Sequence, residues 1–178
     1  MVILQAHYKS ESIRYFVDLG TNCEMAVCLP NSKIYCTSTS AGPAFEGFGI
    51  ECGMSCRDGA IVSVNETKQG LLLNVINNLE AKGIAGSALI SIISYLYRNK
   101  LIDCFGAFYN SDKFCLTENV YLSQKDIRNF QLAKSAVYTA LSFLNNKEDK
   151  INESFNRKMY LAGELASNIQ LEDAFLLK

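Results

Sequence analysis

The apolar run Tyr15-Phe16-Val17 stops at Asp18-Leu19-Gly20-Thr21-Asn22, and apolar residues resume just beyond, from Met25. Such a break reads as a strand that ends in a tight turn, with Gly20 supplying a backbone that other residues adopt poorly. It commits the first third of the chain to β-structure. Ile13 to Asp18, Met25 to Leu29 and Lys33 to Thr37 are short and apolar or alternating, with turn residues between them. Leu29-Pro30-Asn31-Ser32 supplies a hairpin turn between the second and third. Ala60 to Val64 alternates as a further strand, Leu71 to Val75 is placed to pair with it, and Asn65 to Gly70 is the connection. Between these, Ala44 to Gly53 reads as a short helix or loop.

The period then changes. From Ser87 to Arg98 the residues Leu89, Ile92, Ile93 and Leu96 fall on one helical face, with Ser87 near the N-terminus. Ser123 is placed to cap the longest helix, and Asp126 three residues on gives an acidic variant of the capping box. That helix runs to about Asn145 and carries Ile127, Phe130, Ala133, Val137, Leu141 and Leu144 on its apolar face. Asn145 to Asn156 reads as an exposed loop, Lys158 to Leu161 as a last strand ending at Ala162-Gly163, and Leu171 to Leu177 as a helix. This order fits an α/β layer fold.

Composition excludes several classes. The 178 residues suffice for one good-sized domain, and a net charge of −1 argues against a nucleic-acid binder. No apolar run approaches the roughly 20 residues that span a bilayer. Met1 to Gln5 lacks the order of a signal peptide, so a cytoplasmic protein is expected. The seven cysteines match neither a zinc ribbon nor an iron–sulfur run, and reduced, mostly buried thiols are expected. A redox role for Cys52 and Cys56, with Gly53 between and Arg57 after, is the alternative. His7 is the single histidine, in a segment without a motif, so no histidine-based catalytic pair is expected. Gly47, Gly49 and Gly53 do not have G-x-G-x-x-G spacing, and no Walker A sequence is present.

Three segments carry candidate chemistry. The turn at Asp18 can aim backbone N–H groups and the Thr21 hydroxyl at a phosphate, while Asp18 holds a magnesium ion through water. An ordinary hairpin explains the same residues. Gly42-Pro43 fixes a rigid turn, and Glu46 follows either as a cleft carboxylate or as an acidic residue favoured by a helix dipole. Gly83 and Gly86 lead into a helix, which suits an anion or a ribose and equally suits close helix–sheet packing.

Taken in order, Asp18 to Asn22, Ser40 to Gly47, Lys82 to Ile90, Tyr121 to Ile127, Gln131 to Tyr138 and Leu161 to Glu164 resemble the C-terminal part of the ATPases that reductively activate corrinoid proteins. Those enzymes belong to the acetate kinase, sugar kinase, heat-shock protein and actin superfamily. The resemblance implies an α/β, ribonuclease H-like subdomain of actin-like ATPase fold, with a mixed sheet and flanking helices. It implies that residues 1–178 form one domain like the second subdomain, without the first subdomain or the ferredoxin segment. It also implies ATP and Mg2+ as cofactors, weakly bound or partner-dependent, and no iron–sulfur cluster in this chain.

By the same resemblance Gly20, Thr21, Asn22, Gly42, Gly83, Gly86, Ser87 and Gly163 hold nucleotide. Asp18 holds Mg2+ through water, and Glu46 orients the attacking water. The implied function is the nucleotide-binding half of an ATPase for corrinoid activation, inactive alone. Its implied partners are the missing subdomain or a second copy, and a corrinoid protein, with no nucleic acid and no membrane. A non-catalytic interaction module is the alternative, and a small-molecule kinase fragment is a third. Five positions depart from the family pattern. Cys23 and Glu164 stand where glycine is usual and Ala166 replaces another glycine, while Ala85 and Ala88 are milder changes.

Overall fold

The computed structural model describes residues 12–30, 33–148, 156–163 and 165–177. Its first sheet is a meander of β1 (Ile13–Asp18), β2 (Asn22–Cys28) and β3 (Ile34–Ser40), antiparallel throughout. Alternation decides which face is buried. Ile13, Tyr15, Val17, Cys23, Met25 and Val27 are buried, while Asp18 and Glu24 are exposed. The strand β9 (Arg157–Ala162) closes this sheet at the far side of β1, running parallel to it, for an order β3-β2-β1-β9.

A second sheet has the order β5-β4-β6, from β4 (Ala60–Thr67), β5 (Gly70–Val75) and β6 (Gly83–Ile84). The helix α1 (Gly86–Arg98) lies on β4 and buries Leu89, Ile92 and Leu96 completely. Two short strands, β7 (Lys113–Cys115) and β8 (Tyr121–Ser123), lead into α2 (Gln124–Asn145), which lies across β3 and β2. The final helix, α3 (Leu171–Leu176), is pinned to α1 through Asp173, which accepts from Ser94 Oγ at 2.8 Å and Arg98 Nη1 at 2.9 Å. No helix among the described residues is long and apolar enough to cross a membrane.

The capping box forms as the spacing predicts, with the Ser123 hydroxyl accepting from the Asp126 N–H and the Asp126 carboxylate accepting from the Ser123 N–H. The predicted connection Asn65 to Gly70 is too long. The strands run on until only Lys68 and Gln69 separate them. The Thr67 hydroxyl closes this turn, accepting from Gln69 N and donating to Gly70 O, while Gly70 takes φ 123. The strands β6, β7 and β8 were not predicted, because two or three residues are too few for alternation to show. The residues Asn31 and Ser32 of the predicted hairpin turn, His7, Glu164 and most of the predicted loop 145–156 lie outside the described residues.

All seven cysteines are free thiols, but they are not mostly buried. Only Cys23 and Cys28 are, while Cys36, Cys104 and Cys115 are exposed. Burial raises the thiol pKa of both Cys23 and Cys28 by disfavouring the charged form. Alkylation of the native chain with iodoacetamide, followed by peptide mass spectrometry, should therefore modify the three exposed thiols first and Cys23 and Cys28 last. Early modification of Cys23 would contradict this packing.

Candidate functional site

The parallel register of β1 and β9 sets Asp18 beside Ala162, so the turns that follow the two strands lie side by side. Leu19 N donates to Ala162 O at 3.2 Å across that boundary. Gly163 adopts φ 95, and a Cβ there would lie 2.8 Å from Leu19 O and 2.9 Å from Asp18 Oδ1. Only glycine fits on both counts.

The first turn is braced from below and above. The buried Cys23 thiol donates to Gly20 O at 3.3 Å, so the cysteine found where the resemblance expects glycine anchors the turn. Thr21 O accepts from Ala41 N at 3.0 Å and Gly42 N at 3.1 Å. Thr21 N donates to Glu46 Oε1 at 2.9 Å. Glu46 reaches this position because Gly42, at φ 78, turns the chain into a 3-10 helix, Pro43–Glu46, which Gly47 ends at φ 80.

Asp18, Gly20, Glu46, Gly86 and Ser87 line one cleft of about 330 Å³, within the range of small-molecule sites. Sequence reasoning missed the rest of its wall, which is Leu19, Phe45, Phe48, Ser55, Cys56 and Leu165. Phe48 could have been suspected, since an aromatic ring between Gly47 and Gly49 has no strand or helix to bury it, and it is 55% exposed. The others come together only through tertiary structure.

Thr21, Asn22, Gly42, Gly83 and Gly163 do not line this cleft. Asn22 opens β2 opposite Ser40, and Gly42 borders a neighbouring hollow with Phe48 and Asn129. Gly83 sits in β6, where a Cβ would meet Cys52 O at 2.8 Å. A Cβ on Gly86 would come within 1.8 Å of Phe45 O, so close packing accounts for this glycine. The Ser87 hydroxyl is spent on Val62 O at 2.8 Å.

The cleft presents the carboxylates of Asp18 and Glu46, and no lysine or arginine lines it. Such a wall repels a bare phosphate and attracts a cation. No group of three or more metal-ligating side chains exists among the described residues. One or two carboxylates suit Mg2+, which keeps several waters and takes further ligands from phosphate oxygens. The donor set therefore fits a phosphate-bound magnesium better than a metal caged by protein.

The family described as the C-terminal domain of RACo, the ASKHA domain, matches residues 12–177. The chain is 31% identical over 195 residues to a corrinoid activation enzyme, RamQ, of Eubacterium limosum, covering 93% of this chain and 32% of that protein. It is 28% identical over 179 residues to the [Co(II) methylated amine-specific corrinoid protein] reductase of Methanosarcina barkeri, covering 88% of this chain and 33% of that one. A solved reductive activator for corrinoid, iron–sulfur protein superposes with a TM-score of 0.82 at 28% identity, over 97% of this chain and 31% of that one. The chain thus spans about a third of the length of the relatives it matches.

Proposed function

The chain belongs to the family of the C-terminal, ASKHA domain of RACo, and from that premise we propose that it is the nucleotide-binding half of an ATPase that drives corrinoid activation. The fold is α/β, a ribonuclease H-like subdomain of the actin-like kind. The observation that carries the proposal is the meeting of Asp18 and Glu46 at one cleft beside the Gly20 turn. In this reading Asp18 holds a water of the nucleotide-bound Mg2+, and Glu46 orients the attacking water. Gly20, Thr21 and Asn22 form the phosphate turn and Gly86 and Ser87 line its wall, while Gly42, Gly83 and Gly163 act from outside the cleft through the backbone they allow and the packing they permit. Bound MgATP would supply the phosphoryl group and the cation that neutralises the cleft.

The hydrogen bond from Thr21 N to Glu46 adds a linkage. A phosphate oxygen must compete with Glu46 for that N–H. If Glu46 turned toward a bound cation, the Thr21 N–H it now accepts from would be free for a phosphate oxygen. Cation binding at Glu46 would then favour nucleotide binding at the turn. Hydrolysis needs donors from both walls of a dry cleft. This wall brings backbone N–H groups and carboxylates but no lysine or arginine, so the chain is inactive without a partner subdomain, and a corrinoid protein is the target of the assembled enzyme. The second reading, a non-catalytic interaction module, is favoured by Ala166 in the turn after β9. It is kept for the failure of the test below.

Isothermal titration should show heat with ATP and Mg2+ and none with ATP in excess EDTA. Asp18→Asn should weaken MgATP at least tenfold, or about 1.4 kcal/mol. Absence of heat for the folded wild-type chain at millimolar MgATP would overturn the proposal for this chain alone.

A further inference from the structure

The turn between β1 and β2 holds one peptide group by both of its ends. A trans peptide is planar, so the Gly20 carbonyl and the Thr21 N–H point in opposite directions. The carbonyl accepts from the buried Cys23 thiol at 3.3 Å. The N–H points the other way and donates to Glu46 Oε1 at 2.9 Å. Glu46 lines the cleft, so this N–H faces the side from which a ligand enters.

The next peptide is tied separately, because Thr21 O accepts from Ala41 N and Gly42 N. Gly20 is the soft joint. Rotating the peptide between Gly20 and Thr21 needs a large change in the Gly20 backbone, which glycine tolerates. Rotated by half a turn, the same peptide would present its carbonyl oxygen to Glu46 and the cleft. That oxygen repels phosphate, whereas the N–H attracts it. The orientation of this one group decides whether the turn meets an anion with a donor or with an acceptor.

We propose that Cys23 is a positioning residue for this turn, whose thiol keeps the Gly20–Thr21 peptide with its N–H toward the cleft when Glu46 lets go of it. The two bonds differ in that respect. A phosphate oxygen that takes the N–H displaces Glu46, while the Gly20 carbonyl faces away from the ligand and keeps its donor. Cys23 is well placed to be that donor. It is fully buried on β2 opposite Thr39, which fixes its sulfur. Burial, with the Glu24 and Asp18 carboxylates adding to it, raises its pKa, so the thiol keeps the proton it donates. A glycine at this position, which the resemblance expects, has no side chain to make the bond. The orientation of the peptide stands on the geometry, and only its use for phosphate rests on the function proposed above.

Three substitutions separate donation from packing. Cys23→Ser keeps a donor, Cys23→Ala removes it, and Cys23→Val fills the space without one. Amide NMR of the whole chain without nucleotide reads the peptide directly, through the Thr21 N–H shift and its coupling to Hα, which reports φ. Both should change in the alanine and valine variants and stay near wild type in the serine variant, with the Val27 and Ile61 signals unmoved as a control on the fold. Titration with MgATP should show Kd raised about threefold to tenfold by alanine and by valine, as for one neutral hydrogen bond, and restored by serine. A Thr21 signal unchanged by alanine and valine would overturn the positioning role, and so would a changed signal with an unchanged Kd. Serine failing beside alanine would assign the effect to lost sulfur volume and overturn it too. A wild-type chain that takes up no MgATP would sink the nucleotide reading instead, and the Thr21 signal would still decide whether Cys23 sets the peptide.

Discussion

Asp126→Ala should lower the stability of the chain by about 3–5 kcal/mol. Asp126 is fully buried, and its carboxylate accepts three hydrogen bonds. Oδ2 takes Ser123 N and Ser123 Oγ at 2.9 Å each, and Oδ1 takes Glu51 N at 2.9 Å. Alanine removes the reciprocal half of the helix cap, worth about 1 kcal/mol. It also leaves two backbone N–H groups without a partner, at about 1–3 kcal/mol each where water cannot reach. Asp126→Asn keeps the shape but retains a single acceptor oxygen, so it should lose roughly half as much.

The effect is local as well as global. Glu51 belongs to the loop that carries Phe48 to the cleft, and Asp126 fixes that loop to α2. Urea denaturation measures the loss, and hydrogen exchange should show residues 47–54 opening first in both variants. A change under 1 kcal/mol would mean that Asp126 does not hold the two segments together.

Gly86→Ala is the second large effect, and its sign runs against habit. In an exposed helix this substitution gains up to about 1 kcal/mol from helix propensity. Here the new methyl group would stand 1.8 Å from Phe45 O and 2.3 Å from Phe45 C, both backbone atoms without rotamer freedom. The start of α1 must move away from the 3-10 helix that carries Phe45 and Glu46. Overpacking of this kind costs about 3 kcal/mol or more, which exceeds the propensity gain. The melting temperature should fall by about 5–10 °C for a chain of this size. An unchanged or raised melting temperature would show that the approach of α1 to Phe45 is looser than described. MgATP affinity should fall with it, because Glu46 moves.

What the sequence revealed follows the range of the forces involved. Ser123 and Asp126 are three residues apart, so their cap was legible from spacing alone. The further bond from Asp126 to Glu51 joins segments far apart in sequence, and no local pattern signals it. The strands β1, β2 and β3 were readable because each is a short apolar or alternating run bounded by turn residues. The parallel pairing of β1 with β9 likewise joins segments far apart in sequence, and no local pattern signals it. The glycines divide in the same way. Gly83 and Gly86 suggested ligand contact and close packing equally in the sequence. The atoms around them supply the packing, through Cys52 O and Phe45 O. Asp18, Gly20 and Glu46 were singled out separately and share one cleft, but the apolar wall around them comes from Phe45, Phe48 and Leu165, whose roles depend on the assembled fold.

The register that sets Asp18 against Ala162 also has a kinetic consequence. The two turns beside the cleft are far apart in the sequence, so the first leaves the ribosome well before the second. Until β9 arrives, β1 has one free edge, and the groove under Val17 is open to solvent and to other nascent chains. Contacts between residues so distant in sequence form late, because closing a long loop costs entropy before any contact repays it. The meander and α2 can fold first as a collapsed intermediate, with the cleft assembled only in the last step. Refolding monitored at Tyr160 should therefore lag behind helix formation, and aggregation during synthesis should be worst in the interval before residue 162 is made.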